Sequence, residues 1–210
     1  MKLLLVGGTG LVGSEVLKRA LAEPGIETLV VPSRRKLAIS HAKLVAPLVD
    51  FDALPPDAAW WQVDAAICTL GTTIRTAGSR EAFRKVDHDY PLAVARLAKA
   101  HGASRLAVVT AKGANRRSPF FYSRVKGELE ADLTALDFPS LTLVRPGLIG
   151  GERSERRAGE DVAKRVLAVL GPVLPRSWRV NPASTIAQAL LAAVVDGHPG
   201  RRIVESAALA

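Results

Sequence analysis

The apolar positions of this chain fall into short unbroken blocks separated by helical stripes. Leu3 to Val6 is one such block, the pattern of a strand buried on both faces. Behind it Leu11, Val12, Val16, Leu17 and Leu21 recur at helical spacing and predict a helix over 11–22. The alternation continues to the end. Strands are predicted over 2–6, 26–31, 43–49, 63–70, 104–110, 140–145 and 201–205, and helical regions over 11–22, 79–101, 119–136, 159–170 and 183–196. Strands alternating with helices imply an α/β fold, a doubly wound parallel sheet covered on both faces. No internal repeat or long linker interrupts the pattern, so residues 1–210 are read as a single domain. The segment from about 147 to 182, rich in glycine and arginine over 147–160, is where a substrate lid would sit.

The first strand–helix junction carries chemistry. Gly7, Gly10 and Gly13 bracket Thr9, Leu11 and Val12, and the tight turn exposes backbone N–H groups at a helix N-terminus, a site for phosphate. Gly7 permits the turn, Gly10 lets a pyrophosphate approach the backbone, and Gly13 lets the helix pack against the strand. A glycine turn with no ligand is the competing reading.

The second junction argues against it. A dinucleotide site for NAD places an acid about 20 residues past the glycines, on the ribose 2′-OH. Here the second strand ends in Pro32-Ser33-Arg34-Arg35-Lys36. Arginine attracts a 2′-phosphate where an acid repels it. The cofactor expected is therefore NADP(H), with Arg34 the first contact and Ser33 and Arg35 in support. A solvated basic loop is the alternative. Further candidates lie where the other strands end, since ligands of such sheets sit past the C-terminal strand ends. These are Asp50 and Phe51 for the adenine, Leu70-Gly71-Thr72 after the fourth strand, Thr110 after the fifth, and Pro146-Gly147 after the sixth.

Composition narrows the setting. The net charge is +9 and the basic residues are spread along the whole chain, with no aromatic-interleaved basic block, so no specific nucleic-acid partner is expected. No apolar run reaches the ~18 residues of a membrane span, and with the first strand predicted over 2–6 no signal peptide is expected. The single cysteine, Cys68, lies inside an apolar block and reads as an inert core residue. A cytoplasmic setting is the expectation. The four histidines show no metal-ligand spacing, and no metal is expected. Trp60-Trp61 reads first as core packing, with a surface patch or a partner site as the alternatives. Helices near 87–101 and 119–136 could pair across a homodimer; a monomer is the other expectation.

Tyr122 and Lys126 stand four apart on the helix predicted over 119–136, hence on one face. Ser118 is the expected N-cap and Pro119 the first helical residue. A nearby ammonium lowers a phenol's pKa, so Tyr122 could exchange a proton with a carbonyl or alcohol oxygen, while Lys126 also holds the nicotinamide ribose. A half-buried tyrosine beside a solvated lysine has the same spacing.

Together, Gly7-Gly8-Thr9-Gly10-Leu11-Val12-Gly13 and Tyr122-x-x-x-Lys126 resemble the atypical short-chain dehydrogenase/reductases. Three longer stretches are similar to the Tat-interacting-protein, oxidoreductase-like branch of that superfamily. The first is Leu70-Gly71-Thr72-Thr73 with Ala77-Gly78 and Val86-Asp87-His88-Asp89-Tyr90. The second is Tyr122 through Lys126-Gly127-Glu128-Leu129-Glu130-Ala131. The third is Arg145-Pro146-Gly147 with Glu152-Arg153. Ser33-Arg34-Arg35-Lys36 matches as well. The resemblance implies a Rossmann fold with a small C-terminal substrate lobe. It also implies a catalytic Tyr122 with Lys126, and a Ser or Thr after the fifth strand that orients the substrate oxygen. Thr110 is the candidate for that last role and is followed by Ala111; Asp87 stands where many relatives carry asparagine. Two functions follow. One is an NADPH-dependent oxidoreductase acting on a small carbonyl or alcohol. The other is an NADP(H)-sensing regulatory or protein-binding module.

Overall fold

The computed structural model describes residues 1–150 and 179–210. Seven parallel strands form one sheet: β1 (Lys2–Val6), β2 (Thr28–Val30), β3 (Leu44–Val45), β4 (Ala65–Cys68), β5 (Arg105–Val109), β6 (Ser140–Arg145) and β9 (Gly200–Glu205). Their order is β3-β2-β1-β4-β5-β6-β9. The chain runs outward from β1 to β3, then returns to place β4 on the other side of β1. That reversal opens a crevice past the C-terminal ends of β1 and β4, where Val6 pairs with Cys68. This is the Rossmann-like α/β fold expected.

The period of two in β1 sorts its side chains between two layers. Leu3 and Leu5 pack with Val12, Val16 and Leu17 of α1 (Leu11–Ala22) and with Ile186 and Leu190 of α6 (Ala183–Ala192). Leu4 and Val6 face the opposite layer. There they meet Leu92 and Ala95 of α4 (Tyr90–Ala100) and Leu129 and Leu133 of α5 (Phe121–Ala135). Trp61 is fully buried and donates from Nε1 to Pro55 O at 2.8 Å, so it is core packing, while Trp60 is half-buried and packs against that core.

Several boundaries differ from expectation. The strand expected over 43–49 shortens to Leu44–Val45, with a single further bridge between Ser33 and Leu48; Pro47 cannot donate to the ladder. The segment 79–101 is broken into α3 (Arg80–Arg84), a π-helical turn over Lys85–Asp89, and α4. Pro91 lacks the N–H that a regular helix would aim at the Asp87 carbonyl, and the wider turn absorbs that loss. A short α2 (Ile74–Ala77) was not anticipated. Thr73 Oγ1 accepts from Thr76 N at 3.1 Å at its start, and Gly78 ends it at φ 84°. The helix α5 begins at Phe121, and its N-cap position is Phe120 with no side-chain cap. Ser118 therefore does not cap it; its hydroxyl accepts from Phe120 N at 3.2 Å before the helix starts.

Two further short strands, β7 (Ile149–Gly150) and β8 (Asn181–Pro182), pair in parallel. The predicted helix over 159–170 and most of the expected lobe at 147–182 lie outside the described residues.

Candidate functional site

The glycine turn is built as a cradle. Gly7 adopts φ 87°, in the left-handed region, and its carbonyl accepts from Gly10 N at 2.9 Å. A Cβ on Gly13 would overlap the Gly7 carbonyl oxygen and lie 2.7 Å from Thr69 Oγ1. Only a glycine lets α1 approach this closely. Gly10 differs: a Cβ there would meet Gly7 O at 3.3 Å and nothing else within 4 Å. Gly10 is also the N-cap of α1, with no side-chain bond to the first turn. The leading N–H groups of α1 thus face an open, exposed corner beside Thr9, with Leu11 half-buried and Val12 buried behind it. Uncapped N–H groups beside open space fit the pyrophosphate of a dinucleotide.

This turn is continuous with the loop after β4. A Cβ on Gly7 would stand 2.6 Å from Thr69 Oγ1 and 3.0 Å from Leu70 N. One residue on, a Cβ on Gly71 would lie 3.4 Å from Asp87 Oδ1 and 3.9 Å from Lys126 Nζ. Lys126, 3% exposed, places Nζ 2.8 Å from Asp87 Oδ1, and Asp87 is 1% exposed. The second oxygen, Asp87 Oδ2, accepts from Thr72 N at 2.7 Å. Leu70, Gly71, Thr72, Asp87 and Lys126 therefore form one floor next to the glycine cradle. Behind it, burial pushes the Cys68 thiol up to about 11.

Tyr122 lies one helical turn before Lys126 and packs against Phe83 with ring centroids 5.6 Å apart. The residue stays 39% exposed. Burial against its neighbours raises the phenol above its ordinary value; the Lys126 ammonium lowers it and the Asp87 carboxylate raises it. The expected depression of the Tyr122 pKa is thus reversed, chiefly because burial outweighs the lysine charge, with Asp87 opposing that charge as well.

Thr110 is placed differently from expectation. It is buried, and its hydroxyl donates to Glu130 Oε1 at 2.6 Å. Glu130 in turn accepts from Arg145 Nε at 2.9 Å and Nη2 at 2.5 Å. The Thr110 hydroxyl ties β5 to α5 and does not present an O–H to a substrate oxygen. Ala111, also buried, has no hydroxyl to offer.

At the second junction Arg34 and Arg35 are exposed. Ser33 is buried and donates its hydroxyl to Arg35 O at 2.5 Å, so it shapes the arginine turn rather than reaching outward. Asp50 is exposed, and its Oδ1 accepts from Asp52 N at 2.9 Å. Phe51 is 7% exposed and packs on Tyr90 with centroids 5.5 Å apart, which makes it core rather than open surface. Pro146 is buried with its carbonyl accepting from Lys112 N at 2.9 Å, and Gly147 N donates to Asn181 Oδ1 at 2.7 Å.

Two residues escaped sequence reasoning. Asn181 is fully buried and joins Gly147 to Ser206; nothing in a lone asparagine signals this. Gly127 was legible, as a glycine inside a helix: a Cβ there would lie 2.5 Å from Asn115 N, so it admits the loop after β5 against α5. Among the described residues no three His, Cys, Asp or Glu side chains group to hold a metal ion, and no helix is long and apolar enough to cross a membrane.

The family model described as NAD(P)H-binding matches residues 7–167. The chain is 34% identical over 204 residues to "Protein HTATIP2" of Rattus norvegicus, covering 94% of this chain and 82% of that protein. It is 34% identical over 178 residues to "Protein fmp52, mitochondrial" of Emericella nidulans, covering 80% and 76%. Among solved structures, an oxidoreductase of the short chain dehydrogenase/reductase family from Burkholderia thailandensis superposes with a TM-score of 0.69. It covers 99% of this chain and 92% of that one at 19% identity, a likeness of fold. The cytoplasmic setting expected from the sequence is corrected by the fungal relatives, whose names designate them mitochondrial.

Proposed function

The chain belongs to the NAD(P)H-binding family, and on that premise we propose that it is an NADP(H)-dependent oxidoreductase of a small carbonyl or alcohol. The observation that carries the reading is the continuity of the site. The glycine cradle, the Leu70–Thr72 loop and Lys126 adjoin one another at the C-terminal end of β4, and Tyr122 lies one turn before Lys126 on α5. Arg34 and Arg35 stand exposed beyond β2, free to meet a 2′-phosphate. The reduced coenzyme, when bound there, would supply the hydride for the carbonyl carbon. Tyr122 gives its proton to the carbonyl oxygen, so that C=O becomes CH–OH, and the phenolate regains a proton from solvent. A positioned acid of this kind contributes about 10²–10⁴ in rate.

Fluorescence titration with NADPH and NADH separately tests the first step. Tighter binding of NADPH, lost in Arg34→Ala, supports the proposal; indifference to both coenzymes refutes it. A panel of aldehydes, ketones and quinones tests the second. Turnover should vanish in Tyr122→Phe while NADPH still binds.

A second reading has one observation in its favour. With Thr110 bonded to Glu130 and alanine at 111, the described site has no hydroxyl after β5 for the substrate oxygen. An NADP(H)-sensing module with little turnover would leave the panel silent, yet show a partner affinity that differs between apo and NADPH-loaded protein.

A further inference from the structure

Lys126 is the only cation that faces Tyr122 among the described residues, and it is not free. Its ammonium is buried at 3% exposure, 2.8 Å from a carboxylate that is itself buried at 1%. We propose that Asp87 is a positioning residue: its carboxylate claims the Lys126 ammonium, withholds that charge from Tyr122, and anchors the pair to the coenzyme loop through Thr72 N. The site is then set to donate a proton, not to abstract one.

The geometry isolates this pair. Arg84, on the adjoining α3, is bonded to Glu128 and lies 4.0 Å from Asp89. The two ring nitrogens of His88 face Asp89 and Asp132 at 2.7 and 2.9 Å. Arg80 and Arg124 sit over the Phe121 ring. Lys85 is bonded to Asp52, and the Cys68 thiol lies behind the pair with its proton held by burial. Among the described residues the charges acting on the phenol are those of Lys126 and Asp87, with opposite signs. Asp87 reaches this place because the π-helical turn over Lys85–Asp89 buries two consecutive side chains, Asp87 and His88.

The proposal rests on Tyr122 as the proton donor, but its test needs neither coenzyme nor substrate. The phenol is titrated by ultraviolet tyrosinate absorbance, with the Tyr122→Phe protein subtracted to remove Tyr90. In Asp87→Asn the midpoint should fall by about one pH unit or more, as expected for a phenol beside an unopposed ammonium. Adding Lys126→Met should abolish that fall. An unchanged midpoint in folded Asp87→Asn protein overturns the proposal, as does a fall that survives Lys126→Met. Asp87→Ser serves if the asparagine variant does not fold. Failure of both to reach the wild-type circular dichroism spectrum makes Asp87 a folding residue only, and also overturns it. Failure of the NADPH titration, by contrast, would strike the function and leave this result standing.

Discussion

Replacing Gly10 and Gly13 separately by alanine divides the two tasks of the glycine turn. At Gly13 the new methyl overlaps the Gly7 carbonyl oxygen and comes 2.7 Å from Thr69 Oγ1. Backbone cannot rotate out of the way as a side chain can, so the cost sits near the upper end of the about 1–3 kcal/mol for overpacking. Alanine's higher helix propensity returns about 1 kcal/mol. The net loss is about 2 kcal/mol, a fall in Tm of about 4–8 °C for a chain of this size. At Gly10 the methyl meets one atom, Gly7 O, at 3.3 Å, and φ is −79°, open to any residue. About 0.5–1 kcal/mol lost at the cap is offset by about 0.4–1 kcal/mol from a stiffer unfolded chain. Stability should then hold within about 0.5 kcal/mol. On the proposed function, the Gly10 methyl would instead stand where a pyrophosphate approaches. Losing a charge-assisted hydrogen bond costs about 1.5–3 kcal/mol, or about 10- to 150-fold in NADPH affinity. Thermal melts and fluorescence titration of both variants read the two effects separately. A Gly13→Ala protein as stable as wild type, or a Gly10→Ala protein that binds NADPH unimpaired, would refute the assignment.

Other outcomes follow from the same geometry. Arg34→Ala should weaken NADPH by about tenfold and leave NADH unchanged, measured by the same titration. Glu130→Leu removes two of the carboxylate contacts of the Arg145 guanidinium and leaves it the bond to Glu205 at 2.9 Å, costing about 1.5–3 kcal/mol, a Tm drop of roughly 3–12 °C; Thr110→Val should cost less, because its hydroxyl is one donor of three to that carboxylate. The Cys68 thiol, pushed up to about 11 and buried, should resist alkylation in the native protein at pH 8 and react once it is unfolded in denaturant. With the Tyr122 phenol raised above its ordinary value, a reduction that needs the protonated form should hold its rate from neutral pH to about 10 and decline only above it.

The amino-acid pattern alone determined the alternation of strands and helices, because a strand buried on both faces must be uniformly apolar and a surface helix must carry a stripe. It also determined the glycine turn, since only glycine admits the φ of Gly7 and the contact at Gly13. Both rest on interactions local enough to be written in neighbouring residues. What lies across the sheet was not legible. That Thr110 faces Glu130, that Asn181 joins Gly147 to Ser206, and that Asp87 pairs with Lys126 all depend on residues 20 to 39 positions apart. Spacing could place Tyr122 and Lys126 on one face and suggest an acidified phenol. Only the fold could decide which charge stands behind the lysine, because a buried ammonium must find a carboxylate and the chain topology chooses which one.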